Sequence, residues 1–359
     1  MKQAIFITVT FAIIFRLLAG FSSPYLSDDY LRYLLDGEFI INGVNPYGAI
    51  PLDYPQHGGS EVPLPEVKTV YPPLAEGLFA INTLLGGTLL SWRLFGLLPD
   101  LFGGWLMYKI LIDLKLPKQW IALYLWNPIL LKEGVNGAHL DLWTQFFVIS
   151  FIYFALQSRI RSASIALTFA TLTKLIPIVL LPLWLIQLPD TKSRIKASLT
   201  FFCILGISFS LFFPLHPFGN ITVFLHHIQG YGVLFSTLLT VMSPDNSKLL
   251  ITSLGGAIII FRSVNLNVYK LKPIYVTLDI FLILFITSSM GFPWYLLLAM
   301  PLVIISNNIF LMIFFGLSHL HYYENQLGQS NTFWPILISI FFLIGIQQLW
   351  RKNNEEQHR

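Results

Sequence analysis

Two adjacent aspartates begin the most chemically suggestive stretch of this chain. Asp28-Asp29-Tyr30-Leu31-Arg32-Tyr33 opens a segment, 28–42, in which Tyr30, Leu31, Leu34, Leu35 and Phe39 recur at helical spacing. That spacing predicts an amphipathic helix suited to a membrane surface. Carboxylates at the mouth of a cavity can do acid–base work. One can take a proton from an acceptor hydroxyl, and the other can orient the acceptor or bind a cation. A plainer reading fits the same residues: Ser27 caps a helix whose positive end welcomes both acids. Arg32 is one turn from Asp28 and from Asp36, within ion-pair reach.

A second polar knot runs from Asn127-Pro128 to Asp141. Lys132, Glu133, Asn136, His139 and Asp141 crowd into ten residues there, around Gly134 and Gly137, which let the backbone turn. Such a density of ionisable and amide groups suits a substrate site, although polar turns between apolar runs are also ordinary loop chemistry. His139 and Asp141 form a His-x-Asp pair, two ligands where a metal site needs more. Lys174-Leu175-Ile176-Pro177 breaks two apolar runs, and an ionisable group in that position is costly. Its ammonium can neutralise a lipid phosphate, or it can snorkel to the interface. His216, His226 and His227 lie in a second segment between apolar runs, 214–247, whose other residues are mostly apolar and aromatic and suit a re-entrant or surface helix over a cavity. Trp294 and Tyr295, in Phe292-Pro293-Trp294-Tyr295, can stack on a sugar ring or sit in an aromatic belt.

The elements that must hold these groups are apolar. Of 359 residues, 55% are hydrophobic and 11% charged, too greasy a balance for an ordinary water-soluble globule and the opposite of a disordered chain. The one cysteine, Cys203, excludes a disulfide framework and a Cys-rich metal site. Apolar runs near 3–20, 91–112, 119–133, 139–157, 161–174, 175–189, 196–213, 248–262, 273–289, 292–306, 307–320 and 332–350 predict an all-α polytopic membrane protein. About twelve spans are expected, with ten to thirteen as the range. Arg16 inside the first run argues against a cleaved signal peptide; Asp100 and Arg93 lie near the external half of the second span, and either is expected to pair with Arg16 in a structural role. The stretch 72–90 is apolar enough to cross, or to lie along the surface. Treating it as non-spanning puts every basic cluster (Lys115/Lys118, Arg159/Arg161, Lys192/Arg194/Lys196, Arg262/Lys270/Lys272, Arg351/Lys352) on the cytoplasmic side. The chain then reads as one integral membrane domain over 1–359, with external loops at 21–90 and 214–247. Loop 21–90 would be the catalytic loop and carry surface helices. The expected location is a bacterial inner or plasma membrane, multi-pass, with the active site outside.

The order of these motifs carries a resemblance. After the acidic pair come Gly43-Val44-Asn45-Pro46-Tyr47 and Tyr71-Pro72-Pro73-Leu74. Asn127-Pro128, Gly137-Ala138-His139-Leu140-Asp141, Lys174-Leu175-Ile176-Pro177 and Phe292-Pro293-Trp294-Tyr295 come after them. This resembles the GT-C glycosyltransferases, and within them the bacterial polyprenyl-phosphate-mannose mannosyltransferases and the catalytic subunit of the first mannosyltransferase of glycosylphosphatidylinositol assembly. The similarity is densest over 25–185. It implies a polyprenyl-phosphate-linked sugar as donor, mannose as the sugar, a lipid or glycan as acceptor, and inverting transfer on the external or lumenal face. A loop carboxylate would be the general base, and the matching positions are Asp29 and Asp28. Many relatives carry Asp-x-Asp, whereas adjacent Asp-Asp side chains diverge by about 100° on a helix, so one of them faces the acceptor; Asp29 is preferred. Arg32, Tyr71, Lys132, Glu133, Asn136, His139, Asp141, Lys174, His226, His227, Trp294 and Tyr295 would bind substrate. No metal ligand is assigned, and a divalent cation is allowed rather than required.

Two other classes compete. A transporter or lipid flippase would show internal repeats and charges at mid-membrane; no repeat is evident. A polysaccharide polymerase or ligase would keep the fold and use a pyrophosphate-linked donor. No nucleic-acid partner is expected.

Overall fold

The computed structural model describes residues 2–212, 220, 223, 238, 241–268, 273–287, 292–319, 322, 340, 344–345 and 347–348. All regular structure among them is helical, with no strand. The expectation of an all-α chain therefore stands, while its membrane topology does not.

The chain divides into two compact units. The first comprises 1–126, 130–181 and 188–227, and the second 127–129, 182–187 and 228–359. In chain order the first unit holds α1 (Lys2–Phe21), α2 (Asp29–Ile41), α3 (Pro73–Leu84), α4 (Leu89–Asp113) and α5 (Ile121–Leu125). A π-helical turn (Leu130–Asn136) comes next, then α6 (Asp141–Leu156) and α7 (Ile160–Thr173). The helix α8 (Leu180–Gln187) has residues 182–187 in the second unit, and α9 (Thr191–Ser210) belongs to the first. The second unit contains α10 (Pro244–Val268), α11 (Pro273–Ile286), a 3₁₀ turn (Pro293–Leu298), α12 (Met300–Ser306) and α13 (Ile309–Leu317).

Local chemistry sets several of these ends. Thr88 and Ser91 form a capping box at α4, with the Ser91 amide donating to Thr88 Oγ1 at 3.1 Å and the Thr88 amide to Ser91 Oγ at 2.9 Å. Asp190 caps α9 by accepting from the Ser193 amide at 2.7 Å. At α2 the helix begins at Asp29 with Asp28 in the cap position, one residue later than a Ser27 cap requires. Ser27 Oγ still accepts from the Asp29 amide, at 3.4 Å.

The count of about twelve spans is overturned. Among the described residues two helices, α1 and α4, are long and apolar enough to cross a bilayer, or three if a bent pair counts as one. That pair is the π turn with α6, bent by 118°. For α6, α7 and α11 the physical reason is length. At 1.5 Å per residue, the 14 to 16 residues of α6, α7 and α11 reach only ~21–24 Å, short of ~30 Å of hydrocarbon. The apolar run 119–133 is not one helix but α5, a break and the π turn. The run 292–306 is likewise divided into a 3₁₀ turn and the seven residues of α12. Lys192, Arg194 and Lys196 dilute the first turns of α9. The multi-pass, external-face localisation rested on that count and falls with it. The run 332–350 and the tail from Arg351 lie almost wholly outside the described residues.

The expected surface helix is also corrected. α2 buries Arg32, Tyr33, Leu35, Asp36, Gly37 and Phe39. It packs on α3 so closely that a Cβ on Gly37 would lie 2.3 Å from the Phe79 carbonyl oxygen. That face is occupied by protein, and only the hydrogen at Gly37 permits the approach. Tyr33 stacks on Phe79 while Trp92 meets both rings at an angle, in an aromatic core with Ala138, Leu140 and Trp143. α1 is joined to α4 by Arg16, which pairs with Asp100, one of the two partners expected for it. Nε reaches Oδ2 at 2.5 Å and Nη2 reaches Oδ1 at 2.8 Å, with both groups buried.

Candidate functional site

The first turn of α2 and the turn 137–140 meet in the first unit, and together they gather most of the sequence-nominated residues. The π turn creates this meeting. Its backbone closes with Gly137 N donating to Lys132 O at 2.7 Å, and His139 N to Glu133 O at 3.1 Å. Ala138 then takes φ of +55°, a left-handed conformation that turns the chain back into α6. Trp92 Nε1 fastens this corner by donating to the Ala138 carbonyl at 2.7 Å.

His139 sits at the centre of the arrangement. Its ring is fully buried, with Nδ1 3.5 Å from Asp29 Oδ2 and Nε2 3.3 Å from Glu133 Oε2. Burial alone would lower the imidazole pKa; the two carboxylates outweigh it and raise the value to about 9. His139 is therefore an imidazolium at neutral pH, lying in the break between the two helical segments. Asp29 keeps 28% of its side chain exposed, so it faces both the buried cation and the open space. Asp28 is exposed and lies outside this constellation.

Lys174 comes directly after the last turn of α7, and its Nζ lies 2.6 Å from Asp141 Oδ1. Burial pushes its ammonium pKa down, while Asp141 and then Asp29 pull it back up. Asp29, His139, Glu133, Asp141 and Lys174 thus form one linked set of charges. Its walls are Tyr33 and Tyr71, whose rings meet edge to face at 5.5 Å.

Several nominated residues have other occupations. Asn136 is buried, and its amide nitrogen donates to Ser22 Oγ at 2.9 Å and to the Ala19 carbonyl at 3.1 Å. Lys132 Nζ donates to Asn136 Oδ1 at 2.5 Å. Arg93 also reaches the Asn136 and Gly20 carbonyls. These contacts tie the π turn to the end of α1. Arg32 points away from Asp29, with Nε on both oxygens of Asp36 at 2.9 and 3.0 Å. Trp294 and Tyr295 belong to the second unit. Trp294 is 8% exposed and stacks on Phe292 at 4.3 Å, which leaves little free ring face for a sugar. His216, His226 and His227 lie outside the described residues. Asn220, in a sequence that matches a glycosylation tripeptide, donates its amide to the Thr69 and Tyr47 carbonyls.

Sequence reasoning passed over Glu76, which is fully buried in α3. A lone acid in an otherwise apolar run was the available signal. A cavity of about 490 Å³ beside Leu34, Glu38, His57 and Glu61 was also not anticipated. It opens near Glu38, about half a turn around α2 from Asp29, so it is separate from the charged constellation. Among the described residues no group of three or more His, Cys, Asp or Glu side chains is arranged to hold a metal ion.

Comparison with curated proteins returns no match. Residues 8–188 match a family described as alpha-(1->6)-mannopyranosyltransferase, N-terminal domain. The matched stretch contains Asp29, the π turn, His139, Asp141 and Lys174, and ends before the second unit's aromatic turn. It does not reach the finer likeness to the glycosylphosphatidylinositol enzyme. By that match over half its length, the chain belongs to the alpha-(1->6)-mannopyranosyltransferase family.

Proposed function

We propose that this protein transfers a mannosyl group from a polyprenyl-phosphate-linked donor to a hydroxyl of a lipid or glycan acceptor, with inversion at the anomeric carbon. The observation that carries the reading is the half-open carboxylate of Asp29, 3.5 Å from the buried His139 ring, inside the region the family match covers. Asp29 takes the acceptor's hydroxyl proton as that oxygen forms its bond to the anomeric carbon. The bond from that carbon to the phosphate oxygen breaks, and the polyprenyl phosphate leaves with the electron pair.

His139 is already protonated, so it does not compete for the proton. Its ring, 3.5 Å from Asp29 Oδ2, holds that carboxylate in position. Lys174 is the cation for the departing phosphate, where a fixed positive charge counts most in a site that excludes water. Asp141 holds Lys174 in place until the phosphate arrives. The exposed apolar faces of α1 and α4, including Phe6, Leu18, Leu98 and Phe102, suit the donor's polyprenyl tail.

The test is incubation of membranes containing the protein with radiolabelled polyprenyl-phosphate-mannose and a panel of acceptor lipids and glycans. Parallel reactions with a chelator and with added Mg²⁺ test for a divalent cation. Transfer by wild type and none by Asp29→Asn supports the reading. Transfer only from a pyrophosphate-linked donor, or transport of a solute without transfer, refutes it.

A further inference from the structure

Behind the first turn of α2 lies a second set of buried charges that does not touch Asp29. Asp36 and Glu76 are both fully buried. Arg32 holds Asp36, and its Nη1 donates to the Val67 carbonyl at 2.8 Å. Thr69 Oγ1 donates to Glu76 Oε1 at 2.8 Å, while among the described residues Glu76 Oε2 has no donor. The Tyr71 amide is 3.4 Å from Thr69 Oγ1, and the Tyr47 hydroxyl donates to the Tyr71 carbonyl at 2.8 Å.

The titratable and charged groups facing the pair are Arg32 from α2, and Tyr47 and Tyr71 from the chain between α2 and α3. Arg32 is the cation among them. Two ionised carboxylates against one guanidinium would leave a net negative charge in a dry interior, which is costly, so a proton stays on the pair. Glu76 is its natural place, because its Oε2 receives no stabilising hydrogen bond whereas Asp36 faces Arg32. Burial pushes both acids up, and Asp36 pushes Glu76 further.

The network reaches the transfer site from two sides. Arg32 lies on the turn of α2 next to Asp29. Tyr71 meets Tyr33, whose hydroxyl accepts from the Leu140 amide, beside His139, at 3.5 Å. We propose that Glu76, as the neutral acid of the Asp36–Glu76 pair, is a positioning residue that fixes the first turn of α2 and thereby holds Asp29 against His139. The inference rests on Asp29 as the base, but its main readout does not require any donor.

The experiment uses the full chain with Glu76→Gln and Glu76→Ala. Gln copies the size and neutrality of the protonated acid; Ala removes the Thr69 contact. His139 is tracked by NMR through its ring titration, assigned with His139→Gln. The expected midpoint is about 9 in wild type and in Glu76→Gln, and at least one pH unit lower in Glu76→Ala, because Asp29 no longer faces the ring. Thermal unfolding is measured over the same pH range. An acid whose folded pKa is raised gives stability that is full below its unfolded value and lost as pH rises through the folded one. Wild type should therefore lose Tm toward alkaline pH relative to Glu76→Gln. Transfer should stay within threefold in Glu76→Gln and fall at least tenfold in Glu76→Ala. If Glu76→Ala does not fold, Thr69→Val, which removes the hydrogen bond to Glu76, takes its place. An unchanged His139 midpoint in the folded Ala or Val variant overturns the proposal. So does a Tm difference between wild type and Glu76→Gln that is flat with pH. Absence of transfer in wild type, with the His139 shift present, refutes the donor reading and leaves the positioning role standing.

Discussion

Asp29 Oδ2 and His139 Nδ1 stand 3.5 Å apart, and the pair joins a half-exposed helix start to a fully buried ring. The acid is open to an acceptor on one side and held by a cation on the other. This asymmetry separates it from Asp28, which is exposed and has no such partner among the described residues.

Replacing Asp29 with Asn should lower transfer by about 10²–10⁴-fold, the usual worth of a positioned general base. Asp28→Asn should stay within a few-fold of wild type. Initial rates with radiolabelled donor, on protein shown to be folded by its elution profile, decide between them. Equal loss in both variants would move the base assignment to the pair as a whole.

The raised pKa of His139 sets a pH window. Its value in the folded chain is about 9 against an ordinary value of 6.5. A raised pKa on a basic group gives stability that is full below about 6.5 and lost as pH rises through about 9, on the order of 3 kcal/mol at most. Thermal unfolding between pH 6 and pH 10 should show Tm falling across that window in wild type. His139→Gln should flatten the slope. A wild-type Tm independent of pH would contradict the buried imidazolium.

Lys174→Met should reduce kcat by about 10²–10³-fold, as for loss of one fixed electrostatic contact to a developing charge. The single variant also leaves buried Asp141 without its cation, which destabilises the fold. Adding Asp141→Asn should recover stability and not activity. Recovery of both in the double variant would assign Lys174 a purely structural role.

Asp100→Ala should destabilise the chain by about 3–5 kcal/mol, because Arg16 is then left buried and unpaired between α1 and α4. An apolar pair, Arg16→Met with Asp100→Leu, should regain much of that loss. Denaturant unfolding of the purified protein measures both.

Helix positions were largely legible in the sequence. The spacing over 28–42 corresponds to α2 at Asp29–Ile41, and the run 91–112 to α4 at Leu89–Asp113. The Arg16–Asp100 pairing was also readable, since a cation and an anion in neighbouring apolar runs have few other partners. The number of spans was not readable, because an apolar residue buried against protein and one facing lipid have the same composition. Leu297 and Leu298, for example, are buried in a six-residue 3₁₀ turn. The site was legible where charges crowd, as in 132–141. It was hidden at Glu76, whose neighbour Asp36 is far from it in sequence and meets it only after α2 has folded onto α3. Arg32 shows the reverse: its spacing put Asp36 within ion-pair reach, as found, and that pairing commits the side chain that the resemblance would have given to substrate.

The π-helical turn at Leu130–Asn136 has a consequence for how this sequence can change. A π turn is an α-helical turn carrying one surplus residue. Deleting one residue there would let the backbone relax toward an α-helix and rotate the downstream chain by about 100°. Side chains beyond the turn would then point elsewhere, with every one of them still present. Positions in this stretch that take no part in the site, such as Leu131, should therefore accept substitutions far more readily than any change in length, and the residue count is as much a part of the site as its chemistry.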